Sequence, residues 1–223
     1  TLAAGAWATG GNLNTARSSP GMCGTQTAGL LYSGNKGPDV SDDNESYDGT
    51  SWTELANINT ARYAAGSFGT QTAAILAAGT TAPGVHDEVE EWDGSSWTEI
   101  ADINTDRRTL SGAVQGTSTA GLVFGGYIDA NSALNESWNG ASWTEVADLN
   151  TARGIAGSAG NQAAALIYAG NSGSITAVVE LWNGTSWTEV GDVNTARSKP
   201  ASGGGSSTSA ICAGGVTTTF VAI

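Results

Sequence analysis

Eight residues of this 223-residue chain are Lys or Arg, and five of the eight recur at one place in a repeated phrase. Arg17, Arg62, Arg153 and Arg197 close Asn-Thr-Ala-Arg, and Arg107 closes Asn-Thr-Asp-Arg. A guanidinium is a planar fork that grips oxyanions, so a ring of them at one face can collect a sulfated or carboxylated sugar. The same repetition also suits a structural role. Each Arg would then pair with the Glu of Trp-Thr-Glu (Glu54, Glu99, Glu145, Glu189) and pack on a Trp face. One ligand rarely needs five identical contacts, which favours the structural role. The first repeat has Thr9 where the others have Glu, so the arginine beside that strand lacks this partner.

Acidic residues gather in two places, Asp39, Asp42, Asp43 and Glu45, then Asp87, Glu88, Glu90 and Glu91. These are hard oxygen donors of the kind Ca²⁺ takes, but neither group has a calcium-loop spacing, and solvated loops are the expectation. No cofactor is expected. His86 is the only histidine, and no nucleophile signature stands near it. One imidazole is too few for a copper centre. Asp93-Gly94-Ser95-Ser96-Trp97 resembles the aspartate box of sialidases only faintly, with the order off. Paired carboxylates for glycoside hydrolysis stay open as an alternative. Cys23 and Cys212 are expected as buried free thiols, a staple between neighbouring blades being the alternative. Asn44, Asn135 and Asn183 open N-x-S/T sequons.

The elements that must position these residues come from a repeat. The five phrases begin at Asn14, Asn59, Asn104, Asn150 and Asn194. Seven residues before each Asn stands Trp7, Trp52, Trp97, Trp143 or Trp187. Five residues earlier come Leu2, Tyr47, Trp92, Trp138 and Trp182. Each unit reads as four strands: a small-residue strand after the Arg, an apolar strand ending in Gly, a third ending in the aromatic, and a fourth carrying Ser-Trp-Thr-Glu. Asp48-Gly49, Asp93-Gly94, Asn139-Gly140 and Asn183-Gly184 mark tight hairpins between the last two. Four strands in about 45 residues is the size of a propeller blade. The expectation is one all-β domain over 1–223, a five-bladed β-propeller of four-stranded antiparallel blades. Its ring is closed by the N-terminal strand through Trp7 plus three C-terminal strands, the last at Thr219 to Ile223. Such closure hides open strand edges and holds both termini.

This repeat resembles the kelch family. The resemblance is carried by Gly125-Gly126 and Gly214-Gly215 after the second strand, the aromatic ending the third, the Trp of the fourth, and the Arg opening the next blade. Ser33-Gly34, Ala78-Gly79 and Ala169-Gly170 lack the full glycine pair. The resemblance implies a propeller and no particular partner, because fold does not fix function. The wording of the repeats also resembles repeat proteins of marine bacteriophages and their hosts, which implies a virion or extracellular setting.

Net charge is −13, which disfavours nucleic acid and anionic membrane surfaces. No apolar run approaches the length of a membrane span. No signal peptide is seen, and without an initiator Met the chain reads as processed, excised or tagged upstream. The loops between second and third strands vary most, and variable loops on a rigid scaffold are where recognition sits. Asp39, Asp43, His86, Tyr127 and Asp129 in those loops therefore join the five arginines as candidate ligand-binding residues. The expected function is non-catalytic binding of a glycan or a protein surface. The alternatives are a structural spacer contacting neighbouring virion or surface subunits, and a carbohydrate-active enzyme.

Overall fold

The computed structural model describes residues 10–81 and 84–217. Leu2, Trp7, Thr9 and Thr219–Ile223, on which the expected ring closure rests, lie outside the described residues. The chain forms a β-propeller with no helix among the described residues. Four sheets have four antiparallel strands each. The first holds β1 (Gly21–Thr25), β2 (Ala28–Tyr32), β3 (Asn44–Tyr47) and β4 (Trp52–Glu54). The second holds β5 (Gly66–Thr70), β6 (Ala73–Thr80), β7 (Val85–Trp92) and β8 (Trp97–Ile100). The third holds β9 (Ser111–Gly112), β10 (Gly121–Phe124), β11 (Asn135–Trp138) and β12 (Trp143–Val146). The fourth holds β13 (Gly157–Asn161), β14 (Ala164–Tyr168), β15 (Val179–Trp182) and β16 (Trp187–Val190). A smaller sheet pairs β17 (Ala201–Ser206) with β18 (Ser209–Ala213).

Packing happens between sheets. Phe68 and Ile75 of the second sheet share a buried cluster with Val123, Trp138 and Trp143 of the third. Leu30 and Tyr32 of the first meet Leu76, Trp92 and Trp97 of the second. Leu122 and Phe124 of the third meet Ile167, Trp182 and Trp187 of the fourth. The paired aromatics lie 5.0–5.5 Å apart within a sheet, and an aromatic of the preceding sheet meets the second Trp edge-on, as Tyr32 does Trp97 at 4.8 Å. Aromatic rings and branched aliphatic side chains fill these clusters together, and the Trp rings are the bulkiest of them.

The turns between third and fourth strands are wider than a two-residue hairpin. Each spans four residues, and the leading Asp or Asn accepts from two following N–H groups, at 2.8 Å for Asp93 from Ser95 and Ser96. The glycine of each takes φ between 91° and 96°. Those donors hold the Asp93 carboxyl at about 2, far below its usual value.

Around the axis runs a second regularity. Ser19, Ala64, Thr109, Ile155 and Lys199, two residues after each motif Arg, all adopt left-handed backbone, φ 48° to 56°. They hydrogen-bond in series: Ala64 N–H to Ser19 O (3.1 Å), Thr109 to Ala64 (2.6 Å), Ile155 to Thr109 (3.0 Å) and Lys199 to Ile155 (2.9 Å). A left-handed residue other than Gly costs on the order of 1–2 kcal/mol, so this conformation is imposed by the surrounding contacts.

The glycine pairs have an equally local cause. Ser33, Ala78, Gly125, Ala169 and Gly214 have φ of 60° to 67°, which short side chains tolerate. The next residue, always Gly, has φ of 95° to 115°, and in the first four repeats its N–H donates to the motif Arg carbonyl of the following repeat, as Gly126 does to Arg153 at 2.8 Å. A Cβ on Gly126 would meet Arg108 O at 2.9 Å. The second glycine is therefore required, and the first is optional.

Candidate functional site

The motif arginines are consumed beneath the surface. The Arg17, Arg62, Arg107 and Arg153 side chains are fully buried, each paired with a buried glutamate: Glu45 (2.9 Å), Glu90 (3.0 Å), Glu136 (2.6 Å) and Glu180 (2.7 Å). These partners differ from the expected Glu54, Glu99, Glu145 and Glu189. That second set lies on the fourth, outermost strands and is exposed. The true partners sit on the third strand, two residues before its aromatic. The Asn of each motif adds its backbone N–H, so Glu180 accepts from Asn150 N (2.7 Å), Asn150 Nδ2 (2.8 Å), Thr151 N (3.2 Å) and Arg153 Nη2. Burial lowers the pKa of Arg62, Arg107 and Arg153, and the facing glutamates push it back up. The structure thus provides a carboxylate cradle in each of repeats one to four. Arg197 is buried too, but its bonds run to the Thr195 and Gly214 carbonyls.

The acidic loops are parcelled out separately. Asp43 pairs with Arg17 (3.2 Å) and Lys36 (3.1 Å). Burial pushes its pKa up, but Lys36, Ser41 and Arg17 outweigh that and leave the carboxyl below its usual value. Asp39 and Asp129 are exposed. Among the described residues no group of three metal-ligating side chains converges. His86 has more company than the sequence suggested. Its Nε2 lies 2.7 Å from Thr81 Oγ1 and its Nδ1 2.7 Å from Glu88 Oε2. Hydroxyl, imidazole and carboxylate in that order resemble an activated nucleophile in outline. The three groups tie the loop after β6 to the start of β7.

Candidate residue Tyr127 does reach a cavity. A mouth of about 510 Å³ opens over the left-handed series, lined by Tyr63, Arg108, Tyr127, Asn131, Ile155, Asn171 and Lys199 among others. Two strand-like bridges shape it: Arg108 pairs with Tyr127, and Gly154 with Asn171. The Arg108 guanidinium sits 5.2 Å from the Tyr127 ring centre, a cation–π contact that keeps both side chains in place. No acidic residue lines this mouth, although the chain carries 21 of them. Of the three cations outside the repeated phrase, two stand here.

The five candidate arginines, Asp39, Asp43, His86 and Asp129 are therefore not brought together with Tyr127. The residues missed from sequence were Tyr63, Arg108, Asn131, Asn171 and Lys199. A signal existed for some of them. The residue after each constant motif Arg varies (Ser18, Tyr63, Arg108, Gly154, Ser198), which marks a changing position beside a fixed one. Cys23 and Cys212 are unbridged; the first is buried and the second half-buried. Compared with known proteins, the chain matches no family model and no curated sequence.

Proposed function

We propose that this chain is a five-bladed, kelch-like β-propeller that binds an anionic ligand, an acidic glycan above all, at its axial mouth and without catalysis. Five motif arginines, five left-handed residues and five bridges at the same register support five blades. The fifth blade is then built on β17 and β18. The observation that carries the binding reading is the mouth itself: two cations, two tyrosines, two asparagines and no acid, in a chain of net charge −13. Tyr63 and Tyr127 offer flat faces to a sugar ring, Arg108 and Lys199 offer charge, and Asn131 and Asn171 offer hydrogen bonds. Variable residues on an imposed backbone are a usual design for recognition. An extracellular or virion setting goes with this reading.

An array of sulfated, uronic and neutral glycans tests it, with and without calcium. Binding to the acidic sugars is expected, falling at least tenfold in Arg108→Ala and in Tyr127→Ala with the melting temperature unchanged. A blank array from folded protein overturns glycan recognition. Turnover of chromogenic glycosides or esters, abolished by His86→Ala, overturns the non-catalytic part.

A further inference from the structure

Below the mouth the innermost strands enclose a passage along the axis. The five left-handed residues form its collar, tied in series by backbone bonds of 2.6–3.1 Å. One residue further on stand Pro20, Ala65, Leu110, Ala156 and Pro200, one from each repeat. Collar and second level line a single cavity of about 660 Å³. That volume falls within the range of small-molecule sites, roughly 300–1,000 Å³. A cavity of about 250 Å³ continues from the second level to a third, made by Met22, Ser67, Gly112, Ser158 and Ser202. All five repeats contribute a described residue to each level, so the wall is complete among the described residues.

Charge falls away along this passage. The mouth carries Arg108 and Lys199, the upper cavity keeps Lys199 alone, and the lower one is lined by no charged residue. Serines of the lower cavity spend their hydroxyls on neighbouring strands. Ser67 Oγ donates to Met22 O (3.1 Å), Ser111 Oγ to Ala156 O (3.2 Å) and Ser158 Oγ to Gly112 O (2.8 Å). Met22, the only methionine of the chain, is 52 % exposed at the far level. Paired strands lie about 4.8 Å apart, so five of them in a ring put backbone atoms roughly 8 Å apart across the axis. A carbon on the axis then stands about 4 Å from the wall, close to the optimal van der Waals separation. One extended aliphatic chain fits that bore, and a sugar ring does not.

We infer that the ligand of the mouth is an amphipathic anion, with its acidic head beside Arg108 and Lys199 and one unbranched aliphatic chain running down the axis towards Met22. This rests on the anion-binding reading of the mouth and adds the apolar half of the ligand. An acidic sugar linked to a single alkyl chain has this chemistry. The head supplies selection by charge, and burial of the chain supplies affinity.

The probes are butyl sulfate and octyl sulfate, titrated calorimetrically into the full chain below the micelle concentration. Burial of one methylene tightens binding about fourfold, so octyl sulfate should bind at least about thirtyfold more tightly than butyl sulfate. Ala201 is exposed and lines both cavities, so Ala201→Leu should narrow the passage and remove that advantage. Met22→Glu, at an exposed position, should reduce it too by setting a charge against the chain end, and keeps the test valid if Ala201→Leu fails to fold. Equal affinity for the two sulfates overturns the inference. So does an octyl advantage that survives both substitutions, because the chain then lies elsewhere on the protein. Octyl sulfate binding that Arg108→Ala leaves unweakened overturns the mouth reading and this inference with it. A sulfated disaccharide that binds while the two alkyl sulfates bind equally overturns this inference alone.

Discussion

In the third repeat, Asn104 and Arg107 close on Glu136, with Asn104 N and Nδ2 each 2.7 Å from one oxygen and Arg107 2.6 Å from the other. In the fifth, Asn194 and Arg197 carry the same side chains, and among the described residues Arg197 bonds to the Thr195 and Gly214 carbonyls. The join between fifth and first repeats differs in the same way. Gly34, Gly79, Gly126 and Gly170 each donate to the motif Arg carbonyl of the next repeat. Among the described residues Gly215 makes no such bond to Arg17, and Ser19 makes none to Lys199. Gln71 and Gln162 reach back to carbonyls of the preceding sheet, whereas Gln26 lines a cavity of about 520 Å³ with Met22, Trp52 and Gly203. Met22 and Ile211 are 52 % and 59 % exposed. The comparison teaches that one phrase locks a glutamate where the third strand brings one, and falls back on backbone carbonyls where none is described.

The largest effect should come from breaking a filled lock. Arg107→Met leaves Glu136 buried without its counter-charge, and a loss of about 3–5 kcal/mol in urea unfolding is expected. Arg197→Met removes bonds to two carbonyls and should cost only about 1–2 kcal/mol. Equal losses at the two positions would erase the distinction between the repeats.

That distinction was only half legible in the sequence. The Trp and Asn-Thr-x-Arg spacing gave the strand count, because a constant residue every 45 positions points to one place in a repeated sheet. The partner of the arginine was misread because Glu54 and its equivalents stand inside the constant Ser-Trp-Thr-Glu phrase. Glu45, Glu90, Glu136 and Glu180 stand among changing neighbours. Their constancy two residues before an aromatic was the usable signal. The outermost strand has one face in water, so its constant Glu answers to solvent. The mouth was not legible, since Tyr63, Arg108, Asn171 and Lys199 come from four repeats and only the curvature of the ring assembles them.

A middling effect sharpens the comparison at the glycine pairs. Gly126→Ala forces a Cβ against Arg108 O and a left-handed φ of 112° on Ala, and a loss of about 1–3 kcal/mol is expected. Ala78→Gly changes the optional first position, φ 61°, and should be neutral or gain up to about 1 kcal/mol. Both are read from urea midpoints. A cost at Ala78 as large as that at Gly126 would mean that packing of the side chain, and not backbone conformation, sets the pattern of complete and incomplete pairs.

The smallest effect separates the two cysteines, one on each side of the join between fifth and first repeats. Cys23 is covered by the second sheet, its thiol 3.3 Å from Thr70 O, and burial pushes its pKa up to about 12, slightly offset by Tyr32. Cys212 is half-buried, raised by burial while Arg197 pulls it back. The folded protein thus holds the Cys23 proton more tightly than the unfolded chain, where the thiol titrates near 9. The resulting stability is whole below pH 9 and drains away as pH climbs from 9 towards 12. By pH 10 ionisation of the unfolded thiol should have removed about 1.4 kcal/mol. Cys23→Ser, unfolded in urea at pH 8 and pH 10, should lose that much less than the parent over the same interval. Cys212→Ser should behave more like the parent, because its thiol is already half open to water. If both variants flatten the alkaline loss equally, the two thiols are equally covered, and the difference between the two sides of the join is lost.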